Sequence, residues 1–262
     1  IADGRLPTTV ADAAGAETPI QLMRRGIHSA ADRRERVLVG FVAADVPAHG
    51  YKAFTPGYHA PAAAPTGGAA IENEFLRVTA EAAGGTLTVE DKRTGRVLAG
   101  LNQFVDSGDC GDEYTYCPPD RDIVVDAPAA PARVRVTESG PARWTLEVRM
   151  SYGLPEKLTA DRKARTQETV DCEIVSRVRL YAGVARVEIE TEVENRAQDH
   201  RLRAIFPSGV TTDHSRSEQH FGVIGRSTVV PEMPAGAPET PVGTYPQKTF
   251  SDLSDGEHGL ML

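Results

Sequence analysis

The 262-residue sequence contains no GxSxG, HExxH, phosphate-loop or dinucleotide fingerprint, so the hydrolytic, metal and nucleotide chemistries that such motifs carry find no support in it. Cysteine is scarce. Cys110, Cys117 and Cys172 make an odd set without a CxxC pair, which excludes a disulfide framework and a zinc ribbon and reads as three free thiols in a reducing, cytoplasmic compartment. Basic charge is in deficit, 29 Lys and Arg against 37 Asp and Glu for a net −8, so a phosphate backbone is repelled and no nucleic-acid partner is expected. No apolar run approaches the ~18 residues of a bilayer span, so no membrane partner is expected either. Aromatics make up 6% of the chain with Trp144 the single tryptophan, too few for a lectin surface built on exposed rings. Helical patterning is nearly missing. Only "SAADRRERV", 29–37, with Ser29 as a cap, offers one or two turns.

What remains is β patterning. "RVLVGFVAADV", 36–46, is valine-rich and strand-like, and 1–54 reads as the end of a small β domain. Residues 55–70, with three prolines, three glycines and a run of alanines, read as a linker. "IENEFLRVTAEAAGGTLTVEDKRTGRVL", 71–98, gives a meander turning at Gly84-Gly85 and Thr94-Gly95. "CEIVSRVRLYAGVARVEIETEVE", 172–194, places Ile174, Val178 and Leu180 on one face. After a turn at Ala182-Gly183, Val187, Ile189 and Val193 alternate with Glu188, Glu190 and Glu192, which predicts a hairpin with one buried and one wet face. Eighteen prolines shorten the elements and favour a sandwich, and the Pro-rich stretch 231–247 reads as a long loop crossing it.

The densest chemistry lies in "DSGDCGDEYTYCPP", 106–119. Its acids do not follow the alternate spacing of a calcium loop. Asp112 and Glu113 are neighbours whose side chains diverge in a strand, which does not make a self-sufficient glycosidase pair. The favoured reading is a shaped loop in which Gly108 and Gly111 set the path, Tyr114 projects, and Pro118-Pro119 fix the exit. In "DHSRSEQHF", 213–221, His214 and His220 are six apart, outside zinc-finger spacing, so a polar loop is expected. In "DHRLRAIFPSG", 199–209, His200 reads as a hydrogen-bonded structural histidine. No catalytic residue and no metal ligand is assigned to this chain. Because it starts at Ile1 and ends within an apolar run, we expect a piece of a longer protein, with any targeting signal outside it.

Taken in order, "IENEFLRV", "DKRTGRVL", "NQF", the 106–119 loop, "DHRLRAIFPSG" and "YPQKTFSDLSDGEHGL" resemble the C-terminal β region of bacterial glycoside hydrolase family 38 α-mannosidases over residues 71–262. The resemblance implies an all-β, antiparallel, galactose-mutarotase-like supersandwich preceded by a small N-terminal β lobe. It also implies a parent enzyme that hydrolyses α-mannosides with retention, using a zinc ion and an aspartate nucleophile held in an N-terminal barrel upstream of this chain. The chain itself is then a non-catalytic partner of that barrel, with an accessory carbohydrate-binding or assembly module as the alternative, and a homo-oligomer is compatible with either. By the same resemblance Tyr114, with Asp112 beside it, faces the mannoside site. Two positions depart from the pattern: Cys117, where related loops often have serine, and Tyr245, where a histidine is expected before "PQ".

Overall fold

The computed structural model describes residues 6–28, 35–59, 68–233, 236 and 243–262. Among them there is no helix, and every strand pair is antiparallel. The turn of helix considered for 29–37 falls mostly on 29–34, outside the described residues, and Glu35 already begins a strand. Residues 60–67 of the expected linker and most of 234–242 also lie outside them.

The N-terminal lobe has two small sheets. In one, β1 (Thr9–Asp12) lies between β2 (Glu17–Pro19) and a later strand; the other is a hairpin of β3 (Gln21–His28) and β4 (Glu35–Gly40). That later strand is β5 (Phe54–Gly57), so pairing with β1 continues to Gly57, three residues past the compositional boundary at 54. Strand β4 stops at Gly40, well short of Val46. Gln21, buried, ties the lobe to the main body. Its Nε2 donates to the Arg143 carbonyl at 2.9 Å and its Oε1 accepts from the Arg143 N–H at 2.8 Å.

The main body is a sandwich. One sheet is the meander β6 (Ala70–Glu72), β7 (Leu76–Ala80), β8 (Leu87–Asp91) and β9 (Arg96–Leu101). After β10 (Gln103–Gly108), the second sheet runs β11 (Arg133–Ser139), β12 (Arg143–Pro155), β13 (Thr169–Tyr181) and β14 (Glu188–Val193). Before the Gly84-Gly85 turn, where the sequence reads as a single strand, Asn73 splits it in two: its Oδ1 accepts from the N–H groups of Phe75 and Leu76, and its Nδ2 donates to the Tyr181 and Val184 carbonyls.

Ile71, Leu76, Val78 and Leu87 meet Leu146, Val148, Met150, Ile174, Val178 and Leu180 in one apolar core. Burial of this order supplies the dominant favourable term of folding. At the Gly84-Gly85 turn, Gly85 has φ +73 and a Cβ there would lie 2.6 Å from Met150 Sδ, so the tight approach of the two sheets needs glycine. Tyr152 is 1% exposed, meets the Phe104 ring edge-on, and has its hydroxyl pKa pushed up to about 12 by burial.

The expected two-faced alternation of the 172–194 hairpin needs correction at its second strand. Strand β13 is central and buries Ile174, Val178 and Leu180 completely. Strand β14 is an edge, where Ile189, like Val187 just before it, is half-buried against the core and Val193 is exposed. An edge strand has a neighbour on one side only, so its inward side chains keep contact with water.

The chain then returns in β15 (His200–Ile205), which pairs with β10, and ends in a sheet ordered β17 (Gly222–Ser227), β16 (His214–Gln219), β18 (Ser251–Ser254), β19 (Gly259–Met261).

Candidate functional site

The 106–119 loop grows directly out of the β10–β15 pair, where Ser107 faces Arg201 and Gly108 faces His200. Its root is buried polar structure. Asp106 is fully buried, with Arg165 Nη2 2.6 Å from Oδ1 and His200 Nδ1 2.5 Å from Oδ2. Arg165 also donates from Nη1 to the Ile123 carbonyl at 2.8 Å, so one carboxylate joins β10, β15 and two connecting segments. Such groups persist inside a protein only when paired, because an unpaired buried charge is costly. His200 thus has the structural role read from sequence.

Gly108 is required by space: a Cβ would come 2.9 Å from Pro119 Cγ and 3.1 Å from Arg165 Cδ. Its N–H donates to the Asp122 carboxylate at 2.9 Å. Beyond it, Asp109 N–H reaches the Asp199 carbonyl at 2.9 Å, and Cys110 N–H closes the loop onto the Cys117 carbonyl at 2.7 Å. Arg162 Nη2 clamps the Cys110 carbonyl at 2.6 Å.

Within the closed segment, Asp112 Oδ1 accepts from the Tyr114 and Thr115 N–H groups at 2.8 and 3.0 Å. Those two donors hold the Asp112 carboxyl below its ordinary range, and they fix the turn that lifts Tyr114. Tyr114 is 79% exposed. Tyr116 takes the opposite course: its hydroxyl donates to Ser107 Oγ at 3.2 Å, and the Arg201 guanidinium lies 4.5 Å from its ring centre.

Tyr114 stands over a cleft of about 430 Å³ formed with Asp112, Glu113, Tyr116, Arg201 and, from the far end of the chain, Thr244, Tyr245 and Pro246. Tyr245 is itself braced by Arg226, 4.8 Å from its ring centre, and Arg226 Nη1 donates to the Pro246 carbonyl at 2.8 Å. The cleft therefore has two arginine-backed tyrosines, with Tyr114 exposed and Asp112 and Glu113 also lining it. Sequence reasoning placed Tyr114 and Asp112 here and noticed Tyr245 only as a departure. Arg201 and Arg226 were missed, because a surface arginine carries no motif and its ring partner lies far away in sequence.

A larger cleft, about 820 Å³, opens on the C-terminal sheet beside Asp213, His214, Arg216 and Asp255. His214 Nδ1 and Asp213 form an exposed pair at 2.6 Å. No three His, Cys, Asp or Glu side chains gather into a metal site among the described residues. We centre the candidate site on the smaller cleft, since only there do an ordered loop, an exposed ring and braced aromatic walls converge.

Residues 71–262 match the C-terminal domain of the family 38 glycosyl hydrolases. A putative mannosylglycerate hydrolase of Halalkalibacterium halodurans is 25% identical over 206 residues, covering 73% of this chain and 22% of that protein. An alpha-mannosidase from Enterococcus faecalis V583 superposes with a TM-score of 0.76 at 22% identity, over 97% of this chain and 32% of that one. A second family 38 glycosyl hydrolase structure from Enterococcus faecalis gives a TM-score of 0.74 at 21% identity over 95% and 32%. The structural likenesses establish the fold. The chain spans about a third or less of the length of these relatives.

Proposed function

The chain belongs to glycosyl hydrolase family 38 through its C-terminal domain, and from that membership we propose that it forms one wall of the substrate site in a larger enzyme that hydrolyses α-mannosides. In this reading the zinc ion and the aspartate nucleophile of a retaining mechanism belong to a catalytic barrel outside residues 1–262, and the chain alone is inactive. Its partner is that barrel, and the exposed apolar side chains Phe221, Val223 and Ile224 offer surface for the association. Three free thiols favour a cytoplasmic setting.

The observation that carries the reading is the presentation of Tyr114. A large aromatic side chain left 79% exposed on a loop this heavily anchored stands ready for a partner. Its ring suits the apolar face of a sugar, and its hydroxyl can make one directed hydrogen bond. Asp112 Oδ2 has no hydrogen-bond partner among the described residues and offers an acceptor for a sugar hydroxyl beside the ring.

The test is steady-state kinetics of the full-length enzyme on an aryl α-mannoside. Tyr114→Phe should lose one hydrogen bond, roughly 0.5–1.5 kcal/mol in kcat/KM. Tyr114→Ala should lose more and raise KM, and residues 1–262 alone should show no turnover. Normal kinetics in a folded Tyr114→Ala enzyme would remove the loop from the substrate site and leave an accessory or assembly role.

A further inference from the structure

Cys110 and Cys117 stand at the two feet of the Tyr114 loop. The 2.7 Å bond from Cys110 N–H to the Cys117 carbonyl holds their backbones together. With an N–Cα bond near 1.46 Å and a Cα-to-carbonyl-oxygen span of about 2.4 Å, one such bond keeps the two Cα atoms within roughly 6.6 Å. Disulfides bridge Cα atoms about 4.4–6.8 Å apart, so the backbone already has the spacing a disulfide needs. The two thiols also influence each other: after burial, the neighbouring Cys117 thiol is the main influence holding the Cys110 thiol above its ordinary pKa. Both thiols are free and half-buried, whereas Cys172 is locked in the sandwich core at 1% exposure.

We propose that Cys110 and Cys117 are a reversible thiol–disulfide site, oxidised by exchange with low-molecular-weight disulfides, and that the bond locks the loop presenting Tyr114. The exchange balances without a further oxidant. One cysteine thiolate attacks a sulfur of the small disulfide, forming a mixed disulfide and expelling one small thiolate. The second cysteine loses its proton to solvent, attacks the protein-side sulfur, and expels the second small thiolate. Two protein thiols and one small disulfide become one protein disulfide and two small thiols.

Cys110 is the resolving partner. Its Sγ–H donates to the Arg162 carbonyl at 3.1 Å, and burial raises its pKa above the ordinary thiol value. The attacking role falls to Cys117. Arg162 already clamps the Cys110 carbonyl, and closing the bond adds a covalent tie across residues 111–116.

The test uses the full-length enzyme in glutathione buffers of graded oxidised-to-reduced ratio, and it does not depend on any mannoside. Trypsin releases residues 97–121 as one peptide carrying both cysteines. Under oxidising ratios that peptide should lose two hydrogens and resist alkylation, with dithiothreitol restoring both thiols. Hydrogen exchange at the 111–116 amides should slow in the oxidised protein and return to its starting rate on reduction. The Cys117→Ser variant should show no slowing. Glutathione adducts without the internal bond, an internal bond that forms only in denaturant, or unchanged exchange across the closed loop would each overturn the proposal. Since none of these readouts involves turnover, they separate this site from the mannoside reading.

Discussion

Asp106 and His200 sit diagonally across the β10–β15 pair, with Asp106 Oδ2 2.5 Å from His200 Nδ1. His200 Nε2 faces Asn195 Oδ1 at 3.1 Å, and that oxygen also accepts from the Ala197 N–H, so both ring nitrogens are held by polar partners. Arg165 completes the cluster with its side chain fully buried. Asp106→Asn preserves shape while leaving Arg165 without its counter-charge. Breaking a buried pair in this way should cost about 3–5 kcal/mol. Chemical denaturation of the chain checks it. A loss below about 1 kcal/mol, the range of an exposed pair, would mean that the cluster does not hold the root of the loop.

The second sheet separates core from edge in a single measurement. Ile174, wholly buried in β13, should lose about 2–5 kcal/mol on truncation to alanine. Ile189, half-buried on the β14 edge, should lose clearly less. Glu190→Lys replaces a 2.6 Å contact with Arg179 by repulsion, but Glu190 is half exposed, so the cost should stay near 1 kcal/mol or below. Equal losses at Ile174 and Ile189 would contradict the assignment of β14 as an edge.

These two cases also show what was legible beforehand. Period-two patterning found the β13–β14 hairpin, and the Gly84-Gly85 and Thr94-Gly95 turns delimited the meander, because strand alternation and turn chemistry are local. The edge position of β14 was not local, which is why Val193 was misjudged as buried. At the site, the order of Gly, Asp, Tyr and Pro residues showed a shaped loop with Tyr114 outward. The buried Arg165 beneath it, the Arg201–Tyr116 stack and the approach of Tyr245 all depend on residues more than forty positions away. No pattern within the loop specifies such partners.

Acid stability should depend measurably on Glu138. Burial raises its pKa, but the Arg143 guanidinium at 2.5 Å and the Thr145 hydroxyl outweigh that, and the net shift is downward from 4.5. A carboxylate depressed on folding contributes stability that is complete above its unfolded value and is lost as pH falls through the lower folded value. Glu138→Gln should therefore destabilise the chain at neutral pH and flatten the decline in unfolding midpoint below about pH 4.5. An acid arm of unchanged slope in the variant would show that this pair contributes nothing to the decline.

The two tyrosines of the loop should respond in opposite ways to the same substitution. Tyr116 is half-buried, donates to Ser107 Oγ at 3.2 Å and lies under Arg201, so its hydroxyl belongs to the fold. Tyr116→Phe should lower the stability of the chain by roughly 0.5–1.5 kcal/mol. Tyr116→Ala should cost more, since it also strips Arg201 of the ring it covers. Tyr114 is exposed and its side chain makes no comparable contact, so Tyr114→Phe should leave stability within about 0.5 kcal/mol. Kinetics of the full-length enzyme should reverse the order, with Tyr114→Phe lowering kcat/KM while folded Tyr116→Phe stays near the parent value. If Tyr116→Phe instead lost the greater activity with stability intact, the ring beside Arg201 would be the one that meets the substrate, and Tyr114 would be no more than the tip of the turn.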